Sequence, residues 1–177
     1  MPEFRITRRS ALGDASPILR GSVSIEALQE GHVLHVLADR GEQNLSAVLA
    51  DFTGNKAYAV RPVTQSQWFV VGDSVITQSE LGALSAAIGA EADLIDQSDG
   101  RVRFKIRGPM AKSVLEKGTA VDLELSEFPI GRSATTLLGH ISVHITRLGG
   151  HEFELIVLRS FAESLWDELA RMSHEFS

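Results

Sequence analysis

One short segment near the middle of the chain constrains the fold more than any other. From Arg101 to Arg107, basic and apolar side chains alternate without interruption. Successive side chains of a β-strand point to opposite faces, so the pattern predicts a strand with one apolar face and one basic face. The preceding Ser98-Asp99-Gly100 has the composition of a tight turn and predicts a hairpin over residues 94–106. The apolar face must be covered, and a hairpin would pair its two strands in antiparallel orientation.

Upstream of this segment, hydrophobic spacing predicts two strands that alternate with two helices. Residues 33–37 form an apolar run typical of a buried strand, and residues 68–71 predict another strand, closed by Gly72. The first helix lies between them and Gly54 is placed to end it. The second follows, with Ser79 as a possible N-cap and Gly89 at its end. Their apolar stripes are Leu45, Val48, Leu49 and Phe52 in the first helix, and Leu81, Leu84 and Ile88 in the second.

Downstream, the chain reads as a short helix, a second hairpin and a final helix. Pro109 is placed to begin the short helix, which runs through residue 115. Residues 141–146 and 153–157 alternate in polarity, and Gly149-Gly150 supplies a turn between them. The final helix has Ser160 as its predicted cap and a predicted buried stripe of Phe161, Leu165, Leu169 and Met172. This order of elements predicts an α+β fold with antiparallel pairing, rather than a doubly wound parallel sheet.

The first twenty residues differ in character from the rest of the chain. They carry a local excess of basic residues, namely Arg5, Arg8, Arg9 and Arg20. We interpret residues 1–20 as an N-terminal arm, either solvated or reaching onto an acidic partner surface, and residues 21–177 as a single domain. The basic start is not followed by an apolar core segment, so no export signal is expected and the cytoplasm is the expected location.

Composition excludes several classes of protein. A net charge of −6 disfavours a role in nucleic-acid binding, which usually needs a basic face. No apolar run approaches the ~20 residues that span a bilayer, so no membrane segment is expected. The chain has no cysteine, which rules out disulfides, a thiol nucleophile and thiolate zinc sites.

Motifs for cofactors and catalysis are largely missing from the sequence. It contains no GxGxxG motif, no phosphate loop and no HExxH motif. On a strand, His140 and His144 would lie about 13 Å apart, too far to share a metal ion. His32 and His35 flank a predicted core strand, and a structural role is favoured over a catalytic base. The aspartates Asp93, Asp96 and Asp99 do not have the spacing of a calcium loop, and turn chemistry accounts for Asp99.

A series of short motifs between Asp96 and Trp166 resembles the gamma subunit of heterotetrameric sarcosine oxidase. These motifs are Asp96-Gln97-Ser98-Asp99-Gly100-Arg101, Gly108-Pro109, Val114-Leu115-Glu116-Lys117-Gly118, Phe128-Pro129-Ile130-Gly131-Arg132, Leu138-Gly139-His140 and Arg159-Ser160-Phe161-Ala162-Glu163-Ser164-Leu165-Trp166. The resemblance covers the C-terminal half of the chain and is looser elsewhere. The stretch from Asp96 to Pro109 is also similar to the aminomethyltransferases of glycine cleavage. The resemblance therefore implies two interlocked β/α subdomains with antiparallel sheets, like the folate-binding domain of those enzymes.

The resemblance implies a non-catalytic, structural subunit of a complex that oxidatively demethylates sarcosine to glycine. Its partners would be the alpha, beta and delta subunits. FAD, FMN, NAD, tetrahydrofolate and zinc would lie in those subunits, with no cofactor, metal or catalytic residue in this chain. One alternative is a gamma-like subunit of a related N-methyl amino acid dehydrogenase. Others are a free-standing folate-binding one-carbon protein, which the absence of carboxylates from residues 138–143 disfavours, and a homo-oligomeric binding module.

Arginines and apolar residues in predicted loops and on the last helix are candidates for contact with partner subunits. They are Arg101, Phe128, Pro129, Arg132, Arg159 and Trp166. Arginine and tryptophan are frequent anchors of protein interfaces because they combine large contact area with specific geometry. Core packing stays open as a role for Trp166, as does an internal salt bridge or a capping role for Arg132 and Arg159.

Overall fold

A computed structural model describes residues 9–13, 15–28, 31–38, 45–54 and 58–176. Within these ranges the chain forms ten strands and four α-helices. The strands are β1 (Ile18–Arg20), β2 (Val23–Leu28), β3 (His32–Ala38), β4 (Tyr58–Thr64), β5 (Gln67–Gly72), β6 (Ala92–Asp96), β7 (Arg101–Arg107), β8 (Ser133–Leu138), β9 (Ile141–Gly149) and β10 (Glu152–Leu158). The helices are α1 (Leu45–Thr53), α2 (Gln78–Ile88), α3 (Ala111–Glu116) and α4 (Ala162–Ser173), and 3₁₀ turns at Arg159–Phe161 and His174–Phe176 flank α4.

The strands form two antiparallel sheets. The large sheet has six strands in the order β1-β2-β7-β10-β9-β8, and the small sheet has four in the order β4-β5-β3-β6. Every strand pair in both sheets is antiparallel. The predicted α+β class with antiparallel pairing is therefore confirmed.

The two sheets and their helices form four layers. Helices α1 and α2 cover one face of the small sheet with a core that includes Leu34, Leu49 and Leu84. Helices α3 and α4 cover one face of the large sheet with a larger core, centred on Phe104 and Leu165. The remaining faces pack against each other, and their apolar contact is made by Val33, Phe69 and Val71 of the small sheet and Ile156 of the large sheet. Strand β7, which has one apolar and one basic face, is thus covered by helices on the first and by the small sheet on the second.

The chain passes from the large sheet to the small one and back again. Strands β1 and β2 come before every strand of the small sheet, yet β2 pairs with β7, which comes after all of them. The small-sheet subdomain is therefore inserted between two parts of the large-sheet subdomain. This topology confirms the prediction of two interlocked β/α subdomains.

The hairpin predicted over residues 94–106 is wrong. Strand β6 pairs with β3 in the small sheet, whereas β7 pairs with β2 and β10 in the large sheet. The turn itself has the predicted chemistry, since the Ser98 amide donates to the Asp96 carboxylate at 2.9 Å and the Gly100 amide to the Gln97 carbonyl at 2.9 Å. The two strands separate because each packs its apolar face under a different pair of helices. The turn is a crossover between sheets.

Two predicted helix caps are also wrong. Helix α2 begins two residues earlier than expected, with Thr77 as its N-cap and a reciprocal capping box to Glu80, so Ser79 lies inside the first turn. Helix α4 begins after a 3₁₀ turn that contains Ser160, and its N-cap position makes no side-chain hydrogen bond. The 3₁₀ turn moves the start of α4 to Ala162, which is buried, and leaves Phe161 46% exposed. The other predicted members of that stripe, Leu165, Leu169 and Met172, are buried.

The predicted N-terminal arm contributes to the large sheet. Residues Ile18–Arg20 form β1, whose Ile18 pairs with Ile25 of β2, and Ala11 and Leu12 pack against the core of the large sheet. The ordered sheet therefore begins before residue 21. Residues 1–8 lie outside the described ranges, as do the basic residues Arg5 and Arg8 within them.

Four strands were not expected from the sequence, namely β1, β2, β4 and β8. Strand β4 contains Pro62, which argues against a central strand because it lacks an amide hydrogen. In the structure β4 lies at the edge of the small sheet, where proline is tolerated. The second predicted hairpin, by contrast, is confirmed as β9 and β10.

Candidate functional site

The basic face of β7 points at the small sheet. Arg103 is buried between the sheets and donates from Nε and Nη2 to Oε1 of Glu154, at 2.9 and 2.5 Å. Arg61 of β4 donates from Nε to the other oxygen of Glu154, Oε2, at 2.7 Å. We call these three residues, Arg61, Arg103 and Glu154, the ion cluster. It joins strands of both sheets across their interface.

Electrostatics within the ion cluster keep Glu154 charged. Its side chain is completely buried. Burial by itself would raise the pKa of the Glu154 carboxyl, but the charges of Arg103 and Arg61 outweigh burial and lower it. Arg103 also donates from Nη1 to the Gly72 carbonyl at 2.7 Å, so the cluster contacts the backbone of the small sheet.

Two glycines allow the backbone to approach this cluster. A Cβ atom at Gly72 would lie 2.3 Å from Cε1 of His32. Gly31 has a φ of +132°, and a Cβ there would lie 2.3 Å from the Gly72 carbonyl oxygen. A side chain at either position would clash, so glycine is required at both.

Three histidines line the same interface or its edge. The His32 ring is within 2.8 Å of the Ser74 carbonyl through Nδ1, and the His144 ring is 3.1 Å from the Thr135 hydroxyl through Nδ1. Burial lowers the pKa of His32 and His35, and it lowers the pKa of His144 to about 4. These rings are neutral near pH 7 and packed, in agreement with the predicted structural role of His32 and His35.

The described residues show no group of three or more His, Cys, Asp or Glu side chains arranged to hold a metal ion. His140 lies in the turn before β9 rather than on the strand with His144. In the described ranges, no helix combines the length and apolar character needed to cross a membrane.

An open cavity of about 390 Å³ lies beside the ion cluster, and we call it the arginine pocket. Four arginines contribute to its described lining: Arg9, Arg101, Arg103 and Arg159. Its apolar lining includes Ala27, Leu28, Val33 and Val102. Arg101 is half-buried there, with its guanidinium 4.7 Å from the centre of the Phe69 ring and Nε donating to the Gln97 side-chain oxygen. Burial lowers the pKa of Arg101.

The six residues predicted to contact partners occupy different environments. Arg101 and Arg159 both line the arginine pocket, because the Arg159 amide donates to the Gly100 carbonyl at 2.9 Å beside the start of β7. Phe128 is buried in the core of the large sheet, and Trp166 is partly buried with its ring 6.1 Å from that of Phe104. Pro129 and Arg132 are exposed. Whether any of the six contacts a partner stays a prediction.

Sequence reasoning missed the ion cluster, although a signal for it existed. In β10, Glu154 lies between Phe153 and Leu155 in the buried part of the strand, and period two places it on the same face as Ile156 rather than with Phe153 and Leu155. A carboxylate buried in this way requires a cationic partner. The basic face of the neighbouring β7 supplies one.

Comparison with known proteins places the chain in a family. The sequence model of the GCVT N-terminal domain matches residues 22–177, which is most of the chain. The chain belongs to the GCVT N-terminal domain family. No curated protein sequence matches it.

Solved structures agree with this family. A chain of the heterotetrameric sarcosine oxidase from Corynebacterium sp. U-96, in complex with pyrrole 2-carboxylate, is 25% identical, with a TM-score of 0.80 over 96% of both chains. The glycine cleavage system aminomethyltransferase T from Bartonella henselae is 17% identical, with a TM-score of 0.58 over 85% of this chain and 46% of that one. The regulatory subunit of aspartate kinase from Thermus flavus is 11% identical, with a TM-score of 0.51. The last two share the fold alone. The predicted likeness to sarcosine oxidase and to the aminomethyltransferase folate-binding domain is confirmed.

Proposed function

We propose that this GCVT-family chain is the gamma-type assembly subunit of a heterotetrameric sarcosine oxidase complex, which demethylates sarcosine to glycine. One observation carries the proposal: the likeness to a chain of such an oxidase extends over 96% of both chains. The aminomethyltransferase is more than twice as long as the matched region, so this chain corresponds to only part of that enzyme. The chain of the sarcosine oxidase, which matches over nearly its whole length, is therefore the better guide to the role of this chain.

The ion cluster supports a structural role for the chain. Its charged groups are engaged with one another at the centre of the fold, where Glu154 binds both Arg61 and Arg103. A buried, mutually satisfied cluster holds two sheets in one relative position. A rigid body of this kind suits a subunit that positions its partners. In this proposal the alpha, beta and delta subunits bind FAD, FMN, NAD, tetrahydrofolate and zinc, and the complex acts in the cytoplasm.

An exposed apolar segment is suited to partner contact. Between α3 and β8, Leu125 is 53% exposed and Ile130 is 60% exposed. Pro129 and Arg132, two of the predicted contact residues, lie in the same segment and are also exposed. Apolar side chains beside an arginine are typical of the anchors of protein interfaces. We propose that residues 125–132, with Phe128 holding the segment to the core, form part of the docking surface.

Coexpression tests the assembly role directly. The other three subunits should be produced with and without this chain, and the products compared by light scattering, flavin absorbance and sarcosine turnover. We expect loss of the tetramer and of most activity without this chain. Full assembly and activity in its absence would refute the proposal.

A double variant tests the docking surface. Leu125→Asp with Ile130→Asp should weaken assembly while leaving the circular dichroism spectrum and melting temperature of the isolated chain unchanged, since both side chains are largely exposed. Unchanged assembly would remove residues 125–132 from the interface.

A separate assay tests the substrate. Turnover of sarcosine and of N-methylglutamate by the assembled complex would distinguish an oxidase of sarcosine from a related N-methyl amino acid dehydrogenase.

A further inference from the structure

We propose that the arginine pocket binds a small organic carboxylate, with its charge on Arg101 and Arg159 and its hydrocarbon part against Ala27 and Leu28. These four residues line one cavity at the junction of the two sheets. The proposal concerns the isolated chain and does not depend on the assembly role. It adds a ligand site to a subunit proposed above to have none.

The charges of the described residues around the pocket are not balanced. Among its described lining residues, the four arginines are accompanied by a single carboxylate, Asp99. Arg103 is neutralised by Glu154 and Asp73. Within the described part of the chain, no carboxylate lies within ion-pair distance of Arg101 or Arg159. An open cleft with excess positive charge among its described residues favours an anion.

The guanidinium groups are held in place by neutral acceptors, so no described residue compensates their charge. Nε of Arg101 donates to the Gln97 side-chain oxygen, and its guanidinium packs on the Phe69 ring at 4.7 Å. Nη2 of Arg159 donates to the Arg9 carbonyl oxygen. Each arginine keeps further N–H donors for a ligand, since a guanidinium has five. Donors held in position before binding lose little entropy when a carboxylate arrives.

The apolar part of the lining favours an organic ligand over a simple inorganic anion. Ala27 and Leu28 of β2 contribute partly exposed carbon surface to the lining, together with Leu12 and Val75. The volume of about 390 Å³ falls within the ~300–1,000 Å³ of typical small-molecule sites. A bare phosphate would leave this surface unused, whereas a carboxylate with a hydrocarbon body would cover it.

Calorimetric titration of the full chain tests the proposal with benzoate as the probe, at low ionic strength so that charge interactions are not screened. Benzamide has the same shape without the charge and is the ligand control. Inorganic phosphate is the control for general anion binding. We expect saturable binding of benzoate at one site per chain, with no detectable binding of benzamide and weaker binding of phosphate.

Variants locate the site. Arg101→Gln should weaken benzoate binding about tenfold or more, because it removes charge-assisted hydrogen bonds, and Arg159→Gln should weaken it severalfold. Arg132→Gln removes the same charge from an exposed position away from the pocket and should change binding less than about twofold. Arg159→Gln, whose side chain lies at the surface, keeps the test valid if Arg101→Gln fails to fold.

Three outcomes would overturn the proposal. The first is the absence of saturable benzoate binding to the wild-type chain. The second is phosphate binding as tight as benzoate binding, which would make the pocket a general anion site. The third is equal loss of binding in Arg101→Gln, Arg159→Gln and Arg132→Gln, which would assign binding to net charge alone. None of these outcomes affects the coexpression test of assembly.

Discussion

The two faces of the large sheet are built from the same strands and are both buried, yet they are covered in different ways. Under α3 and α4 the contacts are apolar, with Phe104 and Leu155 fully buried against the helices. Toward the small sheet, the alternate positions of the same two strands carry Arg103 and Glu154. The first interface is held by the non-directional burial of apolar area. The second depends on specific charged partners.

The two interfaces should respond differently to substitution. An apolar interface loses stability gradually as methylene groups are removed. A buried ion cluster is different, because removal of one member leaves the others charged and without a partner in a low-dielectric interior. Substitutions at the interface between the sheets should therefore have larger effects than their small changes in volume suggest.

The largest effect is expected for Glu154→Gln. The change leaves the largely buried Arg61 without its anion and the buried Arg103 with only the exposed Asp73, and should lower the free energy of unfolding by about 3–5 kcal/mol. Glu152→Gln, two residues earlier on the same strand, is the matched control. Its carboxylate is partly exposed with partners at 3.6 and 4.0 Å, so we expect less than about 1 kcal/mol. Urea denaturation measures both, and equal effects would contradict the difference between the two interfaces.

Acid should weaken the interface between the sheets through His144. Burial lowers the pKa of this ring to about 4 in the folded protein, against 6.5 for the ordinary side chain. The unfolded chain therefore binds the proton more tightly than the folded protein does. The stability that depends on a neutral His144 is fully present above pH 6.5 and is lost as pH falls toward 4. The total should be about 3 kcal/mol. The lowered pKa values of His32 and His35 act in the same direction.

Urea denaturation at a series of pH values checks this expectation. The free energy of unfolding of the wild type should fall steadily between pH 6.5 and 4. For His144→Gln it should fall less steeply with pH over the same range, because one titrating ring is gone. An identical slope in the two proteins would show that His144 is not responsible. Further loss below this range is expected from protonation of Glu154, whose pKa is lowered in the fold.

A smaller effect is expected where the backbone approaches the ion cluster. Gly72→Ala places a Cβ atom 2.3 Å from Cε1 of His32 and 3.0 Å from Tyr58 Cδ1, and the resulting shift should lower stability by about 1–3 kcal/mol. Gly82→Ala is the control on the helix side, because a Cβ atom there has no neighbour within 4 Å. In helix α2 it should raise stability by about 0.5–1 kcal/mol. Thermal unfolding should show a lower melting temperature for Gly72→Ala and a higher one for Gly82→Ala. A change of the same sign in both variants would count against the close approach of the backbone at Gly72.

The smallest effect tests a helix that covers the small sheet. Thr77→Ala removes the capping box of α2 and should lower the free energy of unfolding by about 1 kcal/mol. Ser79→Ala, at the position that sequence spacing favoured as the cap, should change it by less than about 0.5 kcal/mol. Chemical denaturation of the two variants decides between the caps, and a larger effect for Ser79→Ala would reverse the assignment.

Local patterns in the sequence predicted the elements that carry their own signal. Helix α1 and the hairpin of β9 and β10 follow from spacing and turn residues alone. The same reasoning failed at the turn between β6 and β7, because turn chemistry is identical whether the next strand stays in the sheet or leaves it. It also missed edge strands β1, β4 and β8, whose short or half-exposed patterns resemble loops.

The candidate site was predicted only in part. Arg101 and Arg159 were selected from the sequence as unexplained arginines, and the structure brings them to one cavity with Arg9. Phe128 and Trp166 were selected by the same reasoning but pack in or against the core. Residue type indicates what a side chain can bind, but it does not indicate which face of the fold the side chain reaches.

Periodicity and composition act over a few residues, and they are enough to predict the α+β class and the alternation of apolar and basic side chains along β7. Long-range packing covers the basic face of β7 with a second sheet and pairs Glu154 with Arg61, which lies 93 residues away in the chain. Pairing across such distances depends on which subdomain each strand joins. The helices that pack on the outer face of each sheet determine which sheet a strand joins, and no local sequence pattern records this.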